Sequence, residues 1–287
     1  MPDRISKPMT RLSLPQVTLV AIDTRAPALA LQSLQRSMAS IDFGRVVLFT
    51  AEWQPAHAPR GVELVAIDPI DSAAGYSRFV LRQLAEHIHT PHVLVTQWDG
   101  FVCDPSAWRD EFLDWDYIGA VWPDQPAGRN VGNGGFSLRS QRLLRAGQDP
   151  RITTEHPEDE MLCRRFRDLL EGEHGLRFAP ADVAQRFAFE NMAPRGPVFG
   201  FHGPYRLPRL LDEATLIGWL AALPDPFYRS RDARRLARSL LLQRMPDAAA
   251  ALLRRRAAAG HDTLNTRAMM AAARLLKACK RAFSPLR

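Results

Sequence analysis

The segment His92-Val-Leu-Val-Thr96, followed by Gln97-Trp98-Asp99-Gly100, decides the fold. A short apolar, β-branched run bounded by turn residues reads as a buried strand. The run ends in an amide, an indole and a carboxylate. In an open, mostly parallel sheet, ligands sit beyond the carboxyl ends of the strands. Asp99 lies at such an end, where a carboxylate is placed to hold Mg²⁺ or Mn²⁺ through oxygen and leave positions open for phosphates. The same residues also read as an Asp-Gly turn that closes a strand.

Upstream, Val17-Thr-Leu-Val-Ala-Ile22 has the same character and ends at Asp23-Thr24-Arg25. Arg45–Thr50 and Val62–Ile67 are two more strands of this kind. Between them, Pro27 to Ser40 carries Leu31, Leu34 and Met38 at helical spacing. Tyr76 to Ile88 reads as a second helix, with Phe79, Val80, Leu84 and Ile88 apolar. Strands alternating with helices imply a largely parallel sheet covered on both faces. Tyr76-Ser77-Arg78 opens that helix, so Arg78 either reaches phosphate or a site carboxylate, or faces solvent.

Downstream of Gly100 the rhythm breaks. Trp108–Leu113 reads as one or two helical turns and Tyr117–Val121 as a strand. Val131-Gly-Asn-Gly-Gly-Phe-Ser137 permits positive φ or close backbone approach to a ligand. It lacks the G-x-G-x-x-G spacing and no long helix follows, which disfavours a dinucleotide loop. An Asn-Gly hairpin is the simpler reading. His156-Pro-Glu158-Asp159-Glu160 opens an expected helix from Glu158 to Leu170. Its carboxylates suit the helix dipole, and crowding can also raise the pKa of one of them into the range of a general base. Phe199-Gly-Phe-His202-Gly203 offers either a metal ligand or a hydrogen-bonded core histidine. No H-x-x-x-H pair supports a zinc site.

Composition sets the outer limits. The chain has 287 residues, is 46% hydrophobic and 24% charged, and has a net charge of +7. These values exclude disordered and coiled-coil classes. The charge is divided unevenly. From Arg229 onward there are 15 basic and 3 acidic residues, so the rest of the chain is net acidic. Three widely spaced cysteines argue against a disulfide framework and fit a reducing cytosol. The N-terminus has no signal-like apolar run, and nowhere do ~18 consecutive apolar residues occur.

In the tail, Ala233, Leu236, Ala237, Leu240 and Leu241 share one stripe flanked by Arg231, Arg234, Arg235 and Arg238. Pro246 breaks that helix. A third helix, from about Thr263, places Ala268, Ala272, Leu275, Leu276, Cys279 and Phe283 together. The expected organisation is an N-terminal extension (1–13), an α/β domain (14–215) and a basic helical region (216–287). From Arg229 onward the chain holds one aromatic, Phe283, and no DNA-binding motif, so no nucleic-acid partner is expected. An anionic membrane surface is the expected partner of the tail, with simple packing on the body as the alternative.

The ordered set of motifs resembles the GT-A class of nucleotide-sugar glycosyltransferases. More narrowly, it is similar to an uncharacterised bacterial glycosyltransferase-like family carrying Q-x-D-G, G-N-G-G-F-S, E-D-E and F-G-x-H-G in this order, over about Leu14 to Arg206. The resemblance implies a GT-A-like, Rossmann-type mixed and mostly parallel sheet flanked by helices, with a C-terminal helical appendage. It implies a metal-assisted transfer from a nucleotide-sugar donor to a hydroxyl of a bacterial glycan or lipid-linked acceptor. Asp99 matches the last carboxylate of the D-x-D motif, Gln97 replaces the first, and His202 matches the late metal ligand, for Mn²⁺ or Mg²⁺. Thr24, Arg25, Arg78, Gln97 and Trp98 fall on the donor side, and Asn133, Gly134 and Gly135 under the sugar and acceptor. Asp159, with Glu158 second, matches the base of an inverting member. The missing carboxylate leaves a non-catalytic nucleotide-sugar or carbohydrate-binding module as the alternative. With the widely spaced cysteines and no signal-like run, the expected location is cytoplasmic, on the inner face of the membrane if the tail binds lipid.

Overall fold

The structure, a computed structural model, describes residues 11–55, 57, 59–153 and 156–282. Residues 1–10, most of the expected N-terminal extension, lie outside the described residues, as does Phe283. Six strands form the main sheet: β1 (Leu12–Ile22), β2 (Ile41–Thr50), β3 (Glu63–Ala66), β4 (His92–Thr96), β6 (Tyr117–Ile118) and β7 (Phe136–Ser140). Their order is β3-β2-β1-β4-β7-β6. The pairings β1–β2, β1–β4 and β2–β3 are parallel, whereas β4–β7 and β6–β7 are antiparallel. A second sheet joins β5 (Phe101–Val102), β9 (Gly200–Phe201) and β8 (Ala188–Phe189). The architecture is therefore the mixed, mostly parallel α/β sheet flanked by helices that the sequence predicts.

The central strands are apolar because both faces are covered. Leu19, Ala21, Leu48 and Leu94 face a core that includes Leu34 of the Pro27–Met38 helix, while Val20, Val47, Phe49, Val93 and Val95 face Phe79, Val80 and Leu84. Two predicted helices are interrupted. The Tyr76–Ile88 helix is Ala73–Arg82 and a separate turn Leu84–His87, broken at Gln83. The Glu158–Leu170 helix consists of Glu158–Glu160, a wide turn Met161–Arg165 and Arg167–Gly172. Its first residues are held by side-chain bonds to Arg139 and Gly134. The wide turn, closed by Phe166 N–H to Met161 O, keeps Met161, Leu162 and Cys163 buried.

The C-terminal helices share a core with the sheet domain. Phe101, Phe201 and Leu29 pack with Trp219, Leu236, Leu240, Leu252 and Leu253. Each such side chain contributes about 1.5–3 kcal/mol when buried. The apolar stripe of Arg231–Leu242 is thus turned inward. A helix spanning Glu213–Ala222 runs across position 215. The last helix, Leu264–Ala282, differs from the expected stripe. It buries Thr266, Met269 and Ala273, while Leu275 is 68% exposed. The line through Met269 and Ala273 meets the core shared with the Pro246–Arg256 helix, which leaves Ala268, Ala272 and Cys279 outside.

Candidate active site

The ends of β1 and β4 form the floor of a cleft of roughly 230 Å³ lined by Ile22, Asp23, Thr24, Arg25, Tyr76, Gln97, Trp98 and His156. The loop after β4 is fixed from beneath. Ser33 donates to the carbonyl of Gly100, and Thr96 Oγ1 donates to the same carbonyl at 2.6 Å. Gln97 N–H bonds to Gly135 O at 3.0 Å. A Cβ on Gly100 would lie 2.8 Å from the carbonyl oxygen of Phe201, so glycine allows the second sheet to close over this loop.

That closure brings together residues more than a hundred positions apart in sequence. Pairing of Phe101 with Phe201 puts His202 beside Asp99 and Gln97. His202 Nε2 is 3.2 Å from Gln97 Oε1 and 3.4 Å from Asp99 Oδ1. On the other side of the ring, His202 Nδ1 is 3.7 Å from Glu190 Oε1. Burial opposes charge on His202, but Asp99 and Glu190 outweigh it and push its pKa up to about 10. Asp99 is 5% exposed, and its Oδ1 has no hydrogen-bond partner among the described residues. The protonated His202 ring, 3.4 Å from Asp99 Oδ1, is the cation that balances this carboxylate, and it would have to release that proton to ligate a metal. The donor set at this point is carboxylate, imidazole and amide oxygen, which suits Mn²⁺ or Mg²⁺. The described residues contain no group of three His, Cys, Asp or Glu side chains able to hold a metal. The remaining positions would have to come from a ligand.

The Gly132-Asn-Gly-Gly135 segment works by close approach. The left-handed backbone falls on Asn133 (φ 70°), where asparagine is among the most tolerant non-glycine residues. Asn133 Oδ1 accepts from Gly135 N–H, and its Nδ2 donates to Glu190 Oε2 at 2.8 Å. A Cβ on Gly134 would lie 2.2 Å from Glu158 Oε1, and one on Gly135 would lie 2.1 Å from His202 Nε2. Gly135→Ala must therefore swing the imidazole away. We expect at least about tenfold weaker Mn²⁺ binding in the presence of nucleoside diphosphate, read by calorimetry. An unchanged affinity would remove His202 from the metal set.

The two carboxylates at the helix start separate into different roles. Glu158 is 3% exposed and forms a 2.8 Å ion pair with the fully buried Arg139. Asp159 Oδ2 accepts from Gly134 N–H at 2.8 Å, and its Oδ1 accepts from Glu160 N–H. Burial, reinforced by the charge of Glu158, raises the Asp159 pKa from 3.8 to about 6. Asp159 thus lies against the glycine segment, bonded through both oxygens to backbone N–H groups, and is not among the residues that line the cleft.

On the donor side, Thr24 does not offer a free hydroxyl. Its Oγ1 bridges the N–H and carbonyl of Ile70 and fixes the cleft wall. Arg25 and Trp98 line the cleft, and Trp98 packs edge-on against Phe227 at 5.5 Å. Arg78 is exposed, makes no hydrogen bond or ion pair with the described residues, and does not line the cleft. Helical spacing puts Tyr76 there instead. Two acidic groups were missed from the sequence. Asp23 caps the Arg25 and Ala26 N–H groups at the cleft floor, and burial raises its pKa. Glu190 follows β8 and faces His202 and Asn133. The only sequence signal for Glu190 is an acid at the end of a short strand-like Ala188-Phe189.

A family model described as a protein of unknown function, DUF5672, matches residues 61–202. No curated protein matches the chain. Among solved structures, the chain is similar to the mannosyltransferase PcManGT from Pyrobaculum calidifontis in complex with GDP-Man and Mn²⁺. That likeness has a TM-score of 0.42 and 14% identity, covering 98% of this chain and 86% of that one. It is also similar to the glycosyltransferase GlyE of Streptococcus pneumoniae, at TM-score 0.39 and 12% identity over 64% of this chain and 53% of that one. TarS 1–349 of S. aureus in complex with UDP-GlcNAc gives a TM-score of 0.38 and 13% identity over 94% and 93%.

Proposed function

We propose that the protein is a GT-A-type glycosyltransferase that moves a sugar, with inversion, from a nucleotide-diphosphate donor to a hydroxyl of a glycan or lipid-linked acceptor on the cytoplasmic side of a membrane. One observation carries this reading. Asp99 and His202 converge on Gln97, which lines the cleft, and Gly134, on the neighbouring glycine segment, holds the elevated-pKa carboxylate of Asp159.

Asp99, His202 and Gln97 would hold Mn²⁺ or Mg²⁺. When bound, the ion supplies charge neutralisation for the diphosphate as it leaves. The chain's own residues do the rest. Tyr76, Trp98 and Arg25 line the space for the nucleotide. Gly134 and Gly135 let Glu158 and His202 close against the backbone, which sets the Asp99 side and the Asp159 side next to one another. Asp159 takes the proton of the acceptor hydroxyl, whose own pKa lies far above neutrality. Glu190, held by Asn133 and Asn191, borders the acceptor side.

The amide at Gln97 favours a second reading, a nucleotide-sugar-binding module without turnover, because one hard anionic ligand is missing. Thermal-shift titration with nucleoside diphosphates, with and without Mn²⁺, followed by turnover of a nucleotide-sugar panel, separates the two. We expect a Mn²⁺-dependent rise in Tm of several degrees, abolished by Asp99→Asn, together with donor turnover. Binding without turnover would select the module. An undiminished shift in Asp99→Asn would remove the metal assignment.

A further inference from the structure

Outside the cleft, the strongest unexplained feature is a continuous arginine face. Arg231, Arg235, Arg238 and Leu242 follow one another at spacings of four, three and four along the Arg231–Leu242 helix, opposite its buried Ala233, Leu236, Ala237 and Leu240. Arg234 borders the same face. Arg206 and Arg209 add to it from the turn Pro204–Arg209, which packs on this helix. Burial, together with the charges of Arg209 and Arg235, holds Arg206 below the usual guanidinium range. Arg209, Arg231, Arg234 and Arg238 form no ion pair with any described residue, and Asp232 on the same helix is paired with Arg235. Like charges gathered at this density cost free energy unless an anionic surface neutralises them.

The face is also tied to the site. Arg235 donates to Asn191 Oδ1 at 2.9 Å and lies 3.5 Å over the ring of Tyr205, whose hydroxyl donates to Asn191. Asn191 donates to Glu190, and Arg206 bonds the Glu190 carbonyl.

We infer that this arginine face docks the protein on an anionic lipid surface, with the acceptor side of the cleft at the membrane. Charge complementarity identifies the occupant. The guanidinium groups match lipid phosphates, and the leucines beside them, Leu242 at 80% and Leu210 at 36% exposure, suit shallow contact with the acyl boundary. A nucleic-acid strand would look for an aromatic platform, and the ring nearest this face, Tyr205, is already covered by Arg235 and Arg206. The inference locates the membrane contact on one face rather than on the basic tail as a whole. It rests on the proposed transferase function only for its purpose, which is to present the cleft to a lipid-linked acceptor.

The test is co-sedimentation of the full chain with vesicles of equal parts phosphatidylglycerol and phosphatidylcholine, against phosphatidylcholine alone. The variant Arg231→Glu/Arg238→Glu changes two exposed residues, and a glutamate at the first helical position suits the helix dipole. Arg254→Glu/Arg274→Glu makes the same charge change elsewhere on the helical region. We expect binding only to the anionic vesicles, weakening with salt. The first variant should lose at least roughly tenfold in affinity and the second much less. Equal losses in both variants, no binding by the parent, or retention of binding by the first variant would each overturn the inference. So would a preference for duplex DNA lost in the first variant. Nucleotide binding, measured on the same samples, keeps failure of the docking face distinct from failure of the transferase reading.

Discussion

Replacing Asp159 by Asn is expected to lower kcat by about 10³-fold while making the protein more stable above pH 7. Both effects have one origin. The Asp159 carboxyl is held near a pKa of about 6 by burial and by the negative charge of Glu158, against 3.8 in its ordinary setting. A carboxylate poised there is a stronger base than a free one, yet is still ionised at neutral pH. The same shift costs stability. Between about pH 4 and 6 the folded chain binds more protons at this position than the unfolded chain, so stability falls as pH rises through that window. Above pH 6 the full cost is present, about 3 kcal/mol for a displacement of this size. The asparagine amide oxygen can still accept from Gly134 N–H, so the variant is expected to recover about 1–2 kcal/mol at pH 8 and almost nothing at pH 4. Calorimetric Tm differences at the two pH values, beside the pH profile of kcat/KM, check this. The parent should lose activity below about pH 6, where Asp159 is protonated. A variant keeping a tenth of the parent rate, or one destabilised equally at both pH values, is incompatible with the role of base.

The strand ends were legible because a buried parallel strand must be apolar throughout and then stop. That reading placed Asp99, Gln97 and Trp98 at the mouth of the sheet from local pattern alone. What brings His202 to Asp99 is a pairing of two strands of two residues each, too short for any periodicity. Only the Gly residues on either side hinted at close approach. Glu190 was hidden for the same reason. Arg78 and Tyr76 share a helix start, and which of them meets the cleft depends on the rotation of that helix over the sheet, which the sequence leaves open. The last helix shows the same limit. Its small residues form more than one plausible stripe, and the Met269–Ala273 line won because it meets the shared core. The arginine face was visible as composition, but its continuation onto Arg206 and its link to Glu190 required the fold.

The largest stability effect is expected at Glu158→Gln. Arg139 stands on β7 in the midst of the core, with 0% of its side chain exposed, and among the described residues Glu158 is its one ion-pair partner, at 2.8 Å. The guanidinium also bonds Ser137 Oγ and the Gly134 carbonyl, and lies 5.4 Å from the Tyr117 ring, while its Nη1 has no partner among the described residues. Removing the carboxylate charge leaves an uncompensated buried cation. Breaking a buried pair from one side costs about 3–5 kcal/mol, a large part of the 5–15 kcal/mol typical of a whole domain. Removing both charges at once with Arg139→Met/Glu158→Leu takes away the uncompensated ion and should restore most of that stability. Activity should not return with it. Arg139 and Glu158 set the path of the Gly134 backbone and the start of the helix bearing Asp159, and apolar replacements supply packing without those hydrogen bonds. The double variant should therefore unfold within about 1–2 kcal/mol of the parent while its kcat falls by at least about tenfold. Denaturant titration of the three proteins together with their turnover numbers tests this. A Glu158→Gln variant as stable as the parent would show that Arg139 tolerates burial alone. A double variant with full activity would show that the pair contributes stability without positioning the base.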